Sequence, residues 1–227
     1  MAVVARNSLF FSSMEPPDGW LGHDAAALSR RARMLDAITV AVGEKGYSRV
    51  TVADVVRIAG VSRTTFYEQF EGKEECFLAA YSVGCDALLG HIVEAALAQG
   101  QEATWREVLT VSIDAYLATL ASDPQFARTF LIDILGAGPA AVELRRKVLD
   151  QFVAQYTILS RRAAKEDPAF GEVAEIHLRT MVGGIAELVQ QHLLAHEART
   201  LPELGPVLVE FVAAVFRGTG VRAVAQA

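Results

Sequence analysis

Residues 51–70 read TVADVVRIAGVSRTTFYEQF, and their pattern predicts two short helices in the N-terminal third of the chain. Thr51 stands where a helix N-cap is expected, and apolar residues follow at helical spacing until Gly60 closes a helix of two turns. Ser62 can cap a second short helix, predicted over 63–70. Two short helices with a glycine in the turn between them have the spacing of a helix-turn-helix.

The second helix of such a motif enters the major groove of DNA, with its first residues nearest the bases. Arg63, Thr64 and Thr65 carry donors that can reach base edges or phosphates. Tyr67 and Lys73 can bond phosphate oxygens. The residues therefore predict a nucleic-acid-binding surface on this helix.

The charge of the chain is unevenly distributed. The 227 residues include 21 Lys plus Arg and 27 Asp plus Glu, a formal charge of -6, which by itself argues against binding to phosphates. Residues 28–73, however, hold eight basic and five acidic residues, or +3, so that the remainder carries -9. This asymmetry is typical of a DNA-binding head on an acidic body.

Residues 28–80 resemble the DNA-binding domain of the TetR family of bacterial transcriptional regulators. The matching positions, in register, are Gly46-Tyr47, Thr51, Gly60-Val61-Ser62, Thr65-Phe66-Tyr67, Phe70 and Lys73. A lone helix-turn-helix pattern would be weak evidence, whereas this many positions in one register are specific. The acidic Glu68 departs from what a DNA-facing helix favours, and it leaves the operator sequence open.

The resemblance implies a role for each matched position. Contacts to phosphate would come from hydroxyl groups, from backbone N–H groups and from the helix dipole at the start of the fourth helix. The predicted DNA contacts are Arg63 and Gln69 to bases, Thr51, Thr65, Tyr67 and Lys73 to phosphates, and Ser62 and Thr64 beside them.

The rest of the chain is helical in pattern, so we predict an all-α fold of about nine helices. After helices that begin at 28, 52, 63 and 73, further helices are expected near 104–122, 124–136, 139–166, 172–197 and 203–217. The predicted organisation is a flexible arm at 1–27, the helix-turn-helix domain at 28–75, and a helical ligand-binding and dimerisation domain at 76–227.

The resemblance implies that the C-terminal domain binds an unknown small molecule, which we expect to be largely apolar. The predicted pocket residues are Trp105, Tyr116, Phe126, Phe130, Asp133, Tyr156, His177 and Met181. Each of them also fits an ordinary core position at helical spacing. Asp133 lies on an apolar stretch and needs a partner, either a cationic or hydroxylated ligand or an Arg or Lys of a neighbouring helix.

The last two predicted helices, 172–197 and 203–217, are apolar over broad faces, and Gly183-Gly184 allows close approach of another helix. Pairing them with their symmetry mates gives a four-helix interface. We predict a homodimer, whose two heads, about 34–36 Å apart, would read an inverted repeat in double-stranded DNA.

Cysteines that cannot pair with each other, which are typical of a reducing compartment, and the lack of membrane or secretory segments predict a cytoplasmic protein. Cys76 and Cys85 lie nine residues apart in one predicted helix, on opposite faces, and cannot form a disulfide with each other. Uncharged stretches are too short for a membrane span, and the first residues lack a secretory pattern.

The residues show no catalytic constellation and predict no cofactor. His192 and His196 have the spacing of zinc ligands, but no Glu follows the first histidine and no third ligand is evident, so we predict no metal site. The leading interpretation is a repressor that a small molecule releases from its operator. The alternative is a helical enzyme or ligand carrier whose N-terminus only resembles a DNA reader.

Overall fold

The computed structural model describes residues 22–218, with side chains from residue 29 onward. Within these residues the chain is all-α, as predicted, with nine α-helices and no strand. The helices are α1 (Gly22–Lys45), α2 (Val52–Ala59), α3 (Arg63–Tyr67), α4 (Lys73–Ala98), α5 (Trp105–Ser122), α6 (Pro124–Leu131), α7 (Pro139–Glu166), α8 (Glu175–Ala195) and α9 (Gly205–Gly218). Short 3₁₀ segments are Tyr47–Arg49, Asp133–Gly136 and Ala198–Leu204.

Helix α1 begins at Gly22, which corrects the predicted arm of residues 1–27 in its last part. Residues 25–27 are three consecutive alanines, the strongest helix formers, and they extend the helix toward the N-terminus. The remainder of the predicted arm, 1–21, lies outside the described residues.

Helix α3 ends at Tyr67, whereas the prediction carried it to Phe70. The N–H of Gln69 donates to the carbonyl of Phe66 at 3.0 Å, so the chain tightens into a turn directly after the helix. This turn returns Phe70 to the core, where it is 2 % exposed.

Three of the later helices also differ from prediction at their ends. The expected helix 124–136 is α6 followed by the 3₁₀ segment Asp133–Gly136, a common tightening at a helix C-terminus. Helix α8 is shorter than the predicted 172–197, because Ala174 is extended and serves as its N-cap. Helix α9 begins at Gly205 rather than 203, since a 3₁₀ segment occupies the preceding turn.

Contacts divide the described chain into two compact units. The first consists of residues 22–87 with 125–142, and the second of 88–124 with 143–218. The predicted domain boundary at 75/76 does not coincide with this division, because α6 packs with the first half of α4. The functional division into 28–75 and 76–227 stays a prediction.

In the first unit, α1 covers the helix-turn-helix. Met34, Ile38 and Val42 of α1 are fully buried, as are Val55 of α2 and Phe66 of α3. Met34, Ile38 and Val42 recur on α1 at intervals of four, which places them on one face of that helix. Burial of this face holds two helices that are too short to be stable alone.

Helices α4 and α6 meet at a glycine in the first unit. A Cβ on Gly84 of α4 would lie 2.3 Å from Cε2 of Phe126, so only glycine lets this ring approach the helix. The ring of Phe126 stacks on Phe130 with centroids 5.7 Å apart, and Phe130 stacks on Tyr81 at 5.8 Å. The aromatic stack thus fixes the contact between the two helices.

In the second unit, the start of α5 is the centre of packing. The ring of Trp105 lies 4.9 Å from Phe170 and 5.8 Å from Phe216 of α9, between centroids. Its backbone N–H donates to the carboxylate of Glu166 at the end of α7, at 2.8 Å to Oε2. This carboxylate satisfies a helix N-terminal donor that would otherwise be unpaired.

Helix α4 is long and apolar enough to cross a membrane by length and composition alone, with a mean hydropathy of 1.5 over its most apolar 18 residues. The sequence prediction of no membrane span rests on the length of uncharged stretches, and α4 passes the test because a few charged residues are tolerated in it. Phe77 and Tyr81 of this helix are buried, and the Sγ of Cys76 donates to the carbonyl of Met34. These contacts are those of a core helix in a globular unit.

We expect Gly84→Ala to lower the free energy of unfolding by about 1–3 kcal/mol, because the added methyl group would displace the Phe126 ring. The matched control is Gly90→Ala on the same helix, where a Cβ would meet nothing within 4 Å. That variant should be neutral or stabilised by up to about 1 kcal/mol. Urea unfolding measures both, and equal effects of the two substitutions would contradict the packing described.

Candidate nucleic-acid interface

A reciprocal pair of hydrogen bonds begins α2, as the sequence predicts for Thr51. The Thr51 hydroxyl accepts from the N–H of Asp54 at 3.3 Å, and the Asp54 carboxylate accepts from the N–H of Thr51 at 3.1 Å. Lys45 Nζ lies 2.5 Å from the same carboxylate. Hydrogen bonds from Lys45 and Thr51 hold the pKa of Asp54 well below its usual range. The beginning of α2 is therefore fixed by three groups.

The turn between α2 and α3 has the conformation that the glycine predicts. Gly60 lies at φ 64 and ψ 40, in the left-handed region, and its N–H donates to the carbonyl of Val56. A side chain at this position would be strained. Ser62 then caps α3, with its hydroxyl accepting from the N–H of Thr65 at 3.0 Å.

The predicted contact residues of α3 lie mostly on its outer surface. Phe66 is buried, and Tyr67 beside it is 56 % exposed. The exposed members of the predicted set are Thr51, Ser62, Arg63, Thr64 and Tyr67, and the half-buried ones are Thr65, Gln69 and Lys73. Glu68 is exposed as well, so its carboxylate shares this surface. One face of α3 thus presents hydroxyl groups, one guanidinium and one carboxylate.

Arg31 of α1 holds the end of α3, a role that the sequence does not indicate. Its Nη1 donates to the backbone carbonyl of Gln69 at 3.1 Å, and its guanidinium carbon lies 4.3 Å from the centroid of Phe70. The two partners lie 38 residues apart in the chain, so no local pattern connects them. The contact fixes the turn directly after α3, which contains Gln69.

Lys73 is turned toward the protein. Its Nζ donates to the backbone carbonyls of Val50 at 2.8 Å, Tyr47 at 3.0 Å and Ser48 at 3.4 Å. The ammonium also lies 4.5 Å from the centroid of the Tyr47 ring. The side chain that is predicted to bind phosphate is therefore bonded to the 3₁₀ segment that precedes α2.

Three of the predicted pocket residues belong to the first unit. Phe126 and Phe130 form the aromatic stack on α4, and Asp133 follows them. The Asp133 side chain is 8 % exposed, and its Oδ2 lies 3.6 Å from Nε of Arg128. This cation comes from α6, directly before Asp133, and not from a neighbouring helix as predicted. Burial raises the pKa of Asp133, and Arg128 opposes that shift. Oδ2 accepts no hydrogen bond within the described residues.

The other five predicted pocket residues belong to the second unit. Trp105 and Met181 are buried, and Tyr116 packs edge-on against Phe152 with centroids 6.0 Å apart. Tyr156 is half-buried, and desolvation raises the pKa of its hydroxyl. His177 is half-buried with a buried Nδ1 that has no hydrogen-bond partner among the described residues. The predicted set is thus shared between the units.

Among residues 22–218 there is no group of three or more His, Cys, Asp or Glu side chains that could hold a metal ion. The pair predicted not to bind metal lies close together, with the rings of His192 and His196 4.7 Å apart, and Nε2 of His192 is 2.7 Å from the Thr200 hydroxyl. Cys76 and Cys85 are buried and free. Burial raises the pKa of the Cys76 thiol to about 12.

Residues 34–80 match the family model described as "Bacterial regulatory proteins, tetR family", which confirms the predicted resemblance. No curated protein matches the chain in sequence. The segment that matches contains α2, α3, both of their caps and the start of α4.

Solved structures share the fold of most of the chain. The transcriptional regulator FadR from Bacillus subtilis, crystallised with stearoyl-CoA, is 17% identical with a TM-score of 0.69, over 81% of this chain and 97% of that one. The fatty acid degradation regulator FadR from Bacillus halodurans is 21% identical with a TM-score of 0.67, over 85% and 97%. A TetR-family regulator from Syntrophomonas wolfei is 17% identical, also with a TM-score of 0.67, over 85% and 97%.

We expect Asp54→Asn to lower the urea midpoint most at neutral pH. The folded state lowers the pKa of Asp54, so the charged carboxylate stabilises the fold above pH about 4 and loses this effect as the pH falls further. The difference between wild type and variant should therefore narrow in acid. The difference for Glu107→Gln should also narrow in acid, because Thr104 lowers the pKa of Glu107, but it should be smaller at neutral pH since no lysine is among the causes. A difference for Asp54→Asn that stays constant with pH would contradict this assignment.

Proposed function

We propose that the protein is a sequence-specific DNA-binding regulator of transcription, because residues 34–80 match the family model of the tetR bacterial regulatory proteins. The observation that carries the proposal is the outer face of α3, where Arg63, Thr64 and Tyr67 are exposed next to the capped N-terminus of the helix. A helix end of this kind, with donors around it, suits the major groove of DNA.

The predicted contact residues of α3 and its flanking segments can be divided by the DNA groups that they can reach. The guanidinium of Arg63 can donate two hydrogen bonds to O6 and N7 of one guanine. The amide of Gln69 can donate to N7 of an adenine while its oxygen accepts from the N6 amino group. Ser62, Thr64, Thr65 and Tyr67 offer hydroxyl groups to phosphates. The hydroxyl and the N–H of Thr51, by contrast, both donate to the carboxylate of Asp54. We propose that these contacts position α3, while Arg63 and Gln69 select the sequence.

We further propose that the protein acts as a homodimer through α8 and α9. Helix α9 is apolar on two sides: Leu208 and Phe216 are buried, whereas Val207 and Phe211 are 55 % and 42 % exposed. On α8, a Cβ at Gly184 would meet nothing within 4 Å, and Leu188, one turn further on the same face, is exposed. An outward apolar face with room for a neighbouring backbone suits a helix of a second copy. Two heads would then read an inverted repeat.

The regulator we propose is a cytoplasmic repressor that a largely apolar small molecule releases from its operator. Helix α4 is the element suited to transmit the signal, because residues 73–87 belong to the first unit and 88–98 to the second. A coupling of about 1–3 kcal/mol would change DNA affinity about 5–150-fold. The first ligands to test are long-chain acyl-CoA esters, since one regulator of this fold was crystallised with stearoyl-CoA.

Selection from a pool of random duplex DNA tests the proposed function. We expect the wild type to enrich an inverted repeat, with an affinity that falls steeply as salt rises. Arg63→Ala should reduce discrimination at one base pair of each half-site by about 1–3 kcal/mol while the unfolding midpoint is unchanged. The matched control is Arg161→Ala, an exposed arginine of α7, which should bind like wild type.

No enrichment at low salt would contradict the regulator and would favour a helical enzyme or ligand carrier. Equal effects of Arg63→Ala and Arg161→Ala would contradict the assignment of α3 as the reading helix.

For the dimer, we expect Phe211→Glu to shift the protein to a monomer in sedimentation equilibrium, because a charge would be buried in the apolar interface. Ile158→Glu on α7 is the matched control, since Ile158 is also exposed but lies outside α8 and α9. It should remain dimeric. A wild-type monomer at micromolar concentration, or the same loss in both variants, would contradict an interface through α8 and α9.

A further inference from the structure

The ammonium group of Lys73 is enclosed by acceptors of the protein itself. An ammonium has three N–H donors and no acceptor. Three backbone carbonyls receive them, those of Tyr47, Ser48 and Val50, at 3.0, 3.4 and 2.8 Å. All three donors are therefore used, and a DNA phosphate could be bound only if at least one of these bonds were broken.

The three carbonyls lie in the segment that connects α1 to α2. They belong to the 3₁₀ segment after α1 and to the residue that directly precedes Thr51, the N-cap of α2. The three carbonyls converge on one ammonium group and so join this segment to the first residue of α4. Tyr47 supports the arrangement, because its ring lies 4.5 Å from the Lys73 ammonium and 4.9 Å from the ring of Phe77 on α4.

We propose that Lys73 is a positioning residue, which ties the first turn of α4 to the segment 47–50 and thereby sets the place of Thr51 and α2. This inference rests on the proposed DNA-binding function. It replaces the direct phosphate contact predicted for Lys73 with an internal one. A displacement of the start of α4 would be passed through the three carbonyls to the cap of α2.

Two substitutions separate the internal role from the phosphate contact. Lys73→Met keeps an apolar stem of similar length and removes all three donors. Lys73→Arg keeps the charge, but its planar fork cannot direct donors at three converging carbonyls. Lys147→Met is the matched control, because it removes the same charge from an exposed position on α7.

The first measurement is amide hydrogen exchange of the DNA-free protein. The reporters are the N–H of Arg49, which donates to Gly46, and that of Val50, which donates to Tyr47. We expect exchange of these amides to rise at least about tenfold in Lys73→Met and to rise in Lys73→Arg, and to stay unchanged in Lys147→Met. Unchanged exchange in Lys73→Met would overturn the proposal, since a phosphate ligand has no role before DNA is bound.

The second measurement is affinity for the selected duplex at several salt concentrations. The proposal predicts a loss of at least about tenfold in Lys73→Met with the same salt slope as wild type, and no recovery in Lys73→Arg. A salt slope smaller by about 0.9 per head, with affinity restored by arginine, would overturn it. If the wild type selects no sequence, the proposed function fails, while the exchange experiment still decides whether Lys73 holds the segment.

Discussion

The burial of Phe66 and Phe70 beneath α1 is the constraint on which the candidate interface depends. Helix α3 has only five residues, far below the length at which a helix is stable in water. Its conformation therefore comes from the two rings, which are 0% and 2% exposed, and from its cap at Ser62. Once Phe66 points inward, Thr64 and Tyr67 point outward, and Arg63 at the first position of the helix is exposed as well. The core of the first unit thus decides which side chains can meet DNA.

Features set by neighbouring residues could be predicted from the sequence. The cap at Thr51, the left-handed turn at Gly60 and the cap at Ser62 each depend on residues within a few positions. The contacts that hold them in place could not be predicted. Arg31 reaches Gln69 across 38 positions and Lys73 reaches Tyr47 across 26, and no periodicity links such pairs.

The pocket residues show a different limit of sequence reasoning. An aromatic residue at helical spacing looks the same whether it lines a cavity or fills a core. The sequence predicts one pocket for Phe126, Phe130 and Trp105, yet the first two stack on α4 in one unit and Trp105 packs between Phe170 and Phe216 in the other. Burial alone therefore marks none of them as a ligand contact.

We propose that DNA lies against the outer face of α3 and the N-terminus of α2, and amide hydrogen exchange of the wild type with and without the selected duplex tests this directly. We expect slower exchange in residues 50–70 when DNA is bound, with little change in α5. Protection confined to other helices, or no protection at a DNA concentration that saturates binding, would contradict it.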